Sequence, residues 1–175
     1  MAQCTDAPEV LVVDDHEDTR DILAVILEEE GYTVFTASNG VSAVSRLRTH
    51  PTPLVVVLDW WMPCLDGLAV LRAMVTFAPK AQHHRYLLLT ITPEDARPLV
   101  AKLPPEMKVE LMGKPFNVDA LLAHVARAAK HLRLQQLVAL RREDGSRAAS
   151  HASRQPEGGE GPVGAPSTGA EAAGG

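Results

Sequence analysis

The feature that most constrains this chain is a set of short apolar runs, each cut off by a polar residue. Val10-Leu11-Val12-Val13 stops at Asp14-Asp15, and Leu54-Val55-Val56-Val57-Leu58 stops at Asp59. Neither run alternates with polar residues, so each reads as a strand buried on both faces, the habit of parallel sheets covered by helices. Tyr32–Ala37, Tyr86–Leu89 (stopping at Thr90) and Val109–Met112 (stopping at Gly113-Lys114) supply three more strands.

Helical patterns lie between them. Ile22, Leu23, Ile26 and Leu27 recur at helical spacing over Asp18–Glu30, with Gly31 as a stop. Asn39-Gly40 reads as a turn before a helix over Val41–Thr49, which Pro51 and Pro53 end. Leu68–Phe77 is a third helix. Glu94–Leu103 is a poor one, interrupted by Pro98. Asn117 caps a last helix from Val118. Strands alternating with helices predict a doubly wound parallel α/β sheet, and right-handed crossovers leave few strand orders.

Composition sets the domain organisation. Residues 144–175 hold 8 glycines and 3 prolines, and Val163 is their only large aliphatic residue. Such a stretch buries too little to offset the entropy of ordering, so a disordered tail is expected there. Residues 1–8 are expected to be a flexible N-terminus, 9–130 the folded domain and 131–143 an extension of the last helix. No length is left for an effector domain of usual size. The net charge of −5 argues against non-specific nucleic-acid binding. Cys4 and Cys64 make no disulfide framework, and MAQCTDAPE is no signal peptide, so a cytoplasmic setting is expected.

The polar residues at the strand ends converge, because the C-terminal ends of parallel strands share one edge, where open α/β sheets place their sites. That edge would gather Asp14, Asp15, Asp59, Thr90 and Lys114. Clustered carboxylates repel and call for a cation. Hard oxygen donors around an open position suit Mg²⁺, which also accepts phosphate oxygens. One carboxylate can attack phosphorus to give an aspartyl phosphate, with a hydroxyl and a Lys ammonium holding the phosphoryl oxygens. The chemistry is that of metal-assisted phosphoryl transfer.

VLVVDDHEDTR, VVVLDWWMPCLDG, LLLT and GKPF, in this order and spacing, resemble the receiver domain of bacterial two-component response regulators over roughly residues 9–130. The resemblance implies a flavodoxin-like sheet in the order 2-1-3-4-5. It makes Asp59 the acceptor of a phosphoryl group from a histidine kinase or phosphotransfer protein. Asp14 and Asp15 would hold Mg²⁺, Asp15 more directly, with Asp59 and the carbonyl of Trp61 completing the ligands. Thr90 and Lys114 would engage the phosphoryl group, and Lys114–Pro115 would be cis. Pro63 and Gly67 would shape the loop after Asp59, where Asp66 reads as a helix cap. The expected protein is a phosphorylation switch with limited self-catalysis and not a metabolic enzyme.

The chain departs from the family in places. Ile91 stands where Ala is usual, and Leu111 stands where a Tyr or Phe usually rotates on activation. The region with Pro93, Pro98, Pro104 and Pro105 is poor in helix propensity. Trp60 is expected in the core. Trp61 is expected at the mouth of the site, partly shielding the phosphoryl group from water.

Past the usual end of a receiver, Leu134, Leu137, Val138 and Leu140 continue the helical pattern among Arg127, Lys130, Arg133, Arg141 and Arg142. A helix of ~25 residues, roughly 38 Å long, is expected. It is either a solvated extension or a surface for a partner protein or a second copy. Without a helix-turn-helix pattern, direct nucleic-acid binding is not expected. Two rivals remain: an unphosphorylated pseudo-receiver, a binding module on the same fold, and a phosphatase with an aspartyl-phosphate intermediate. The phosphatase is disfavoured because Trp61 occupies the place of its usual second Asp. A flavin-binding domain is a fold-level alternative only, since no phosphate-cradling loop follows the first strand.

Overall fold

The apolar runs form the five strands the sequence marks out. A computed structural model describes residues 8–77 and 83–152. In chain order the elements are β1 (Glu9–Val13), α1 (Glu17–Glu29), β2 (Thr33–Ala37), α2 (Gly40–Thr49), β3 (Val55–Asp59), α3 (Gly67–Phe77), β4 (Arg85–Thr90), α4 (Pro93–Val100), β5 (Lys108–Gly113) and α5 (Val118–Ala152). The strands pair in parallel in the order β2-β1-β3-β4-β5, so the flavodoxin-like expectation holds.

Successive side chains of a strand point to opposite faces, and the core splits accordingly. Leu11, Val13, Val56 and Leu58 pack with Leu47, Leu71 and Met74 on one face, while Val10, Val12, Val55 and Val57 pack with Leu23, Leu27, Leu121 and Val125 on the other. Every residue of β3 is buried, which is why its sequence does not alternate. Burial on both faces at about 25 cal/mol per Å² of apolar surface is the main stabilising contribution.

Local chemistry explains the element ends. Gly31, at φ 85°, closes the turn after α1. Asn39-Gly40, read as a turn, opens α2, because the Asn39 side chain accepts the Ser42 amide at 2.8 Å. Pro98 lies inside α4 without breaking it. The helix starts on Pro93 at its first turn and ends at Val100 instead of Leu103, and the Lys102 and Leu103 amides finish in tighter turns on the Leu99 and Val100 carbonyls.

The last helix corrects an expectation. It has 35 residues, where about 25 were anticipated, so residues 144–152 are helical and not part of a disordered tail. That stretch holds only Gly145 and no proline, while Pro156 and most of the glycines come later; nothing in it is strong enough to stop a helix. The rest of the expected tail, and the N-terminus before Pro8, lie outside the described residues. Residues from Ala139 onward form a unit of their own, whose described part is the last stretch of α5. Among the described residues no helix is long and apolar enough to cross a membrane.

Candidate functional site

The parallel sheet brings the ends of β1, β3, β4 and β5 to one edge, and the predicted residues meet there. Asp14 follows β1, Asp59 and Thr90 close β3 and β4, and Lys114 follows β5. Asp14, Asp59 and Thr90 are each at most 4% exposed. Polar groups buried this deeply need partners, and the Lys114 ammonium provides those of the two carboxylates. Its Nζ lies 2.8 Å from Asp59 Oδ1 and 3.3 Å from Asp14 Oδ2.

Backbone contacts fix each member. The Lys114 amide donates to the Thr90 carbonyl at 2.7 Å, tying the ends of β4 and β5 together, and Lys114–Pro115 is cis as expected. Thr90 Oγ1 accepts the Thr92 amide at 3.2 Å. The Trp60 amide donates to the Leu89 carbonyl at 2.8 Å, and the Trp60 carbonyl accepts from Gly67 at 2.9 Å. This folds the loop after Asp59 back on the strand end. Gly67 is required there, since a Cβ would stand 2.5 Å from the Asp59 carbonyl oxygen. In the same loop Leu65 donates to the Pro63 carbonyl, and Asp66 caps α3 by accepting the Ala69 amide at 2.7 Å. Trp60 is buried in the core, whereas Trp61 is 58% exposed.

Burial pushes the Asp59 carboxyl above its ordinary range, and the Lys114 ammonium opposes that shift without reversing it. Burial acts to lower Lys114, but Asp59 and Asp14 outweigh it and hold the ammonium above its ordinary value. Asp59 is thus a carboxylate with little water around it, held by one fixed cation.

The donors fit a hard divalent ion. Asp15 Oδ1 is a buried oxygen with no hydrogen-bond partner; His16 Nδ1 lies 3.2 Å away but not in hydrogen-bonding geometry. An orphaned carboxylate oxygen beside the buried Asp14 carboxylate is what an oxygen-seeking cation satisfies. Asp14, Asp15 and His16 place one donor atom each within 4.8 Å of one another.

Sequence reading missed two supports. The Arg20 guanidinium donates to the Asp14 carbonyl at 3.0 Å, and the His16 amide donates to Asp14 Oδ1 at 2.9 Å. Arg20 is the lone base among the acids of residues 1–31, which was the available signal. Of the departures, Ile91 is 64% exposed, and Leu111 is half-buried against the core. Arg127, read as a base at the helix end, bonds with Glu110 of β5, to which His124 Nδ1 also lies within 2.5 Å.

Comparison with known proteins agrees with this geometry. The family model for the response regulator receiver domain matches residues 10–126. The chain is 30% identical over 134 residues to the nitrogen assimilation regulatory protein NtrX of Azorhizobium caulinodans, covering 75% of this chain and 28% of that one. It is 31% identical over 127 residues to the DNA-binding transcriptional regulator NtrC of Escherichia coli K12, covering 73% of this chain and 26% of that one. It therefore spans about a quarter of the length of these relatives. Among solved structures, a receiver domain protein of Clostridium thermocellum superposes with a TM-score of 0.63 at 25% identity, covering 73% of this chain and 98% of the other. A beryllofluoride-activated NtrC4 receiver domain dimer superposes with a TM-score of 0.59 at 31% identity, covering 71% and 98%.

Proposed function

The chain belongs to the response regulator receiver domain family, and from that premise we propose that Asp59 accepts a phosphoryl group from the phosphohistidine of a sensor kinase or phosphotransfer protein. The observation that carries this reading is the placement of Lys114 Nζ 2.8 Å from Asp59 Oδ1 in a buried pocket. A buried carboxylate with a single fixed cation has an oxygen left to attack phosphorus.

In the transfer, an Asp59 oxygen forms a bond to phosphorus while the bond from phosphorus to the donor imidazole nitrogen breaks, and the imidazole leaves. In the dephosphorylation that follows, water attacks phosphorus, the bond from phosphorus to the Asp59 oxygen breaks, and inorganic phosphate departs with the carboxylate restored. Asp15, Asp59 and the Trp61 carbonyl, with Asp14, would hold a divalent ion of Mg²⁺ type, which would supply charge neutralisation for the phosphoryl oxygens. Lys114 pairs with one of those oxygens, and the Thr90 hydroxyl donates to another once it turns from the Thr92 amide. This limited self-catalysis makes the protein a switch and not a metabolic enzyme. The phosphorylated form binds a downstream protein, or a second copy, differently from the free form, in the cytoplasm where the donor kinase domains act.

Leu111 favours a second reading. With a half-buried aliphatic at that position, no ring is there to rotate, which fits an unphosphorylated binding module. One experiment separates the two. The full chain is treated with acetyl phosphate or beryllofluoride in Mg²⁺, then followed by phosphate-affinity gel and tryptophan fluorescence, with Asp59→Asn as control. Mg²⁺-dependent modification that disappears in the variant supports the switch. A folded protein that does not respond supports the binding module.

A further inference from the structure

His16 follows the acidic pair at the strand edge, and the phosphoryl chemistry above gives it no task. It is the N-cap of α1, yet its side chain makes no capping hydrogen bond. Its amide is fixed to Asp14 Oδ1 at 2.9 Å, which holds the residue against the acidic pair. Its Nδ1 lies 3.2 Å from Asp15 Oδ1 and 3.5 Å from Asp14 Oδ1. The ring is otherwise open to solvent, with a side-chain exposure of 74%.

Those spacings are informative. Donors about 2.1 Å from one ion sit about 3.0 Å apart when adjacent in an octahedral shell, and about 3.4 Å apart in a tetrahedral one. The imidazole nitrogen and the Asp15 oxygen already stand at such a separation. That oxygen is also the buried one with no hydrogen-bond partner. A nitrogen and an orphaned oxygen held this way form a chelating pair.

We propose that His16 is a ligand of the divalent ion at this edge, and that its nitrogen tilts the site toward first-row transition ions such as Mn²⁺. Mg²⁺ takes oxygen donors and gains little from imidazole, whereas affinity for imidazole rises along the first-row series. The proposal rests on the reading that Asp15 and its neighbours hold a divalent ion, and adds to it the identity of the favoured ion. The competing role for His16 is that of a cation neutralising Asp14 and Asp15, which needs its charge and not its lone pair.

The test uses the full chain with Mn²⁺ and Mg²⁺ as probes, titrated separately by calorimetry, and pulsed EPR of the Mn²⁺-loaded protein. Wild type is expected to show a directly coordinated ¹⁴N on Mn²⁺. His16→Asn should lose that coupling and weaken Mn²⁺ binding about ten-fold or more, with Mg²⁺ affinity changed less than about two-fold. His16→Lys, which keeps a positive charge, should lose the coupling as well. A Mn²⁺ spectrum without coordinated ¹⁴N, or an unchanged ratio of Mn²⁺ to Mg²⁺ affinity in His16→Asn, overturns the proposal. Asp15→Asn separates the two levels: if it weakens both ions while His16→Asn weakens neither, the acidic site stands and the histidine ligand does not. If wild type binds neither ion, both readings fall.

Discussion

Lys114 reaches Asp59 across an intervening strand. Lys114 follows β5 and Asp59 ends β3, strands that are not neighbours in the sheet, yet Lys114 Nζ lies 2.8 Å from Asp59 Oδ1. The span is set by the backbone tie between Lys114 and Thr90, the residue ending the strand between them. A cation beside a carboxylate favours its charged form. Lys114→Met should therefore raise the Asp59 carboxyl further above its ordinary range. A ¹³C NMR titration of that carboxyl reads this directly, and an unchanged midpoint would show that the pair does not form in solution.

The raised pKa of Asp59 also fixes the sign of a stability effect. Burial favours the protonated form in the folded state, so the charged carboxylate opposes folding at pH values above its titration, and the penalty fades as the pH falls through it. Asp59→Asn, which cannot ionise, should be more stable than wild type at pH 7 by about 1 kcal/mol. The gain should shrink in acid. Urea unfolding at pH 7 and at low pH measures both, and a variant less stable at pH 7 contradicts the assignment.

His84 governs a different pH range. It is buried, its Nδ1 accepts the Leu54 amide at 2.8 Å, and Nε2 lies 3.3 Å from the Leu47 carbonyl. It thereby pins the end of α2 to the approach to β3 as a neutral ring. Burial lowers its pKa to about 4. The unfolded chain binds the proton near 6.5, so the contribution of His84 is complete above that pH and is lost progressively between 6.5 and about 4. The loss amounts to about 3 kcal/mol. His84→Gln, which retains an acceptor and a donor but no charge, should flatten the stability profile over that interval. Parallel profiles for the two proteins would refute the role.

The sequence made the fold and the acidic edge legible for one reason: each apolar strand ends on the residue that serves the site. Asp59, Thr90 and Lys114 could be placed on one edge before any coordinates, because parallel strands leave no other place for them. His84 was not legible, since a single histidine before an apolar strand carries no periodic signal and its partners are backbone atoms of two other elements. Glu110 with His124 and Arg127 was hidden likewise, because the contact joins β5 to α5. The end of α5 is not legible from the composition of residues 144–175 as a whole, because their glycines concentrate beyond Ala152.

Gly67 and Gly31 should differ when each is changed to Ala. A Cβ on Gly67 meets the Asp59 carbonyl oxygen at 2.5 Å and Leu88 Cδ1 at 2.8 Å. The backbone oxygen cannot step aside without moving the acceptor strand, so Gly67→Ala should cost about 1–3 kcal/mol and slow phosphorylation by acetyl phosphate. A Cβ on Gly31 meets nothing within 4 Å, but its φ of 85° strains any other residue. Gly31→Ala should cost about 1 kcal/mol and leave phosphorylation unchanged. Equal phosphorylation rates in the two variants would show that Gly67 does not position Asp59.

Trp61 isolates what the exposed ring two residues after Asp59 contributes. Its side chain is 58% exposed, so Trp61→Ala removes the ring and leaves in place the backbone carbonyl proposed above as an ion ligand. Stability should stay within about 0.5 kcal/mol of wild type, as for an exposed side chain. The ring stands two residues after the acceptor, where it can limit the approach of water to phosphorus. Trp61→Ala should therefore lose its phosphoryl group several-fold faster, measured as the decay of the shifted band on a phosphate-affinity gel after the donor is removed. Trp61→Phe, which keeps an aromatic plane, should fall between the two. Wild-type decay in both variants would assign the lifetime to Thr90 and Lys114 alone.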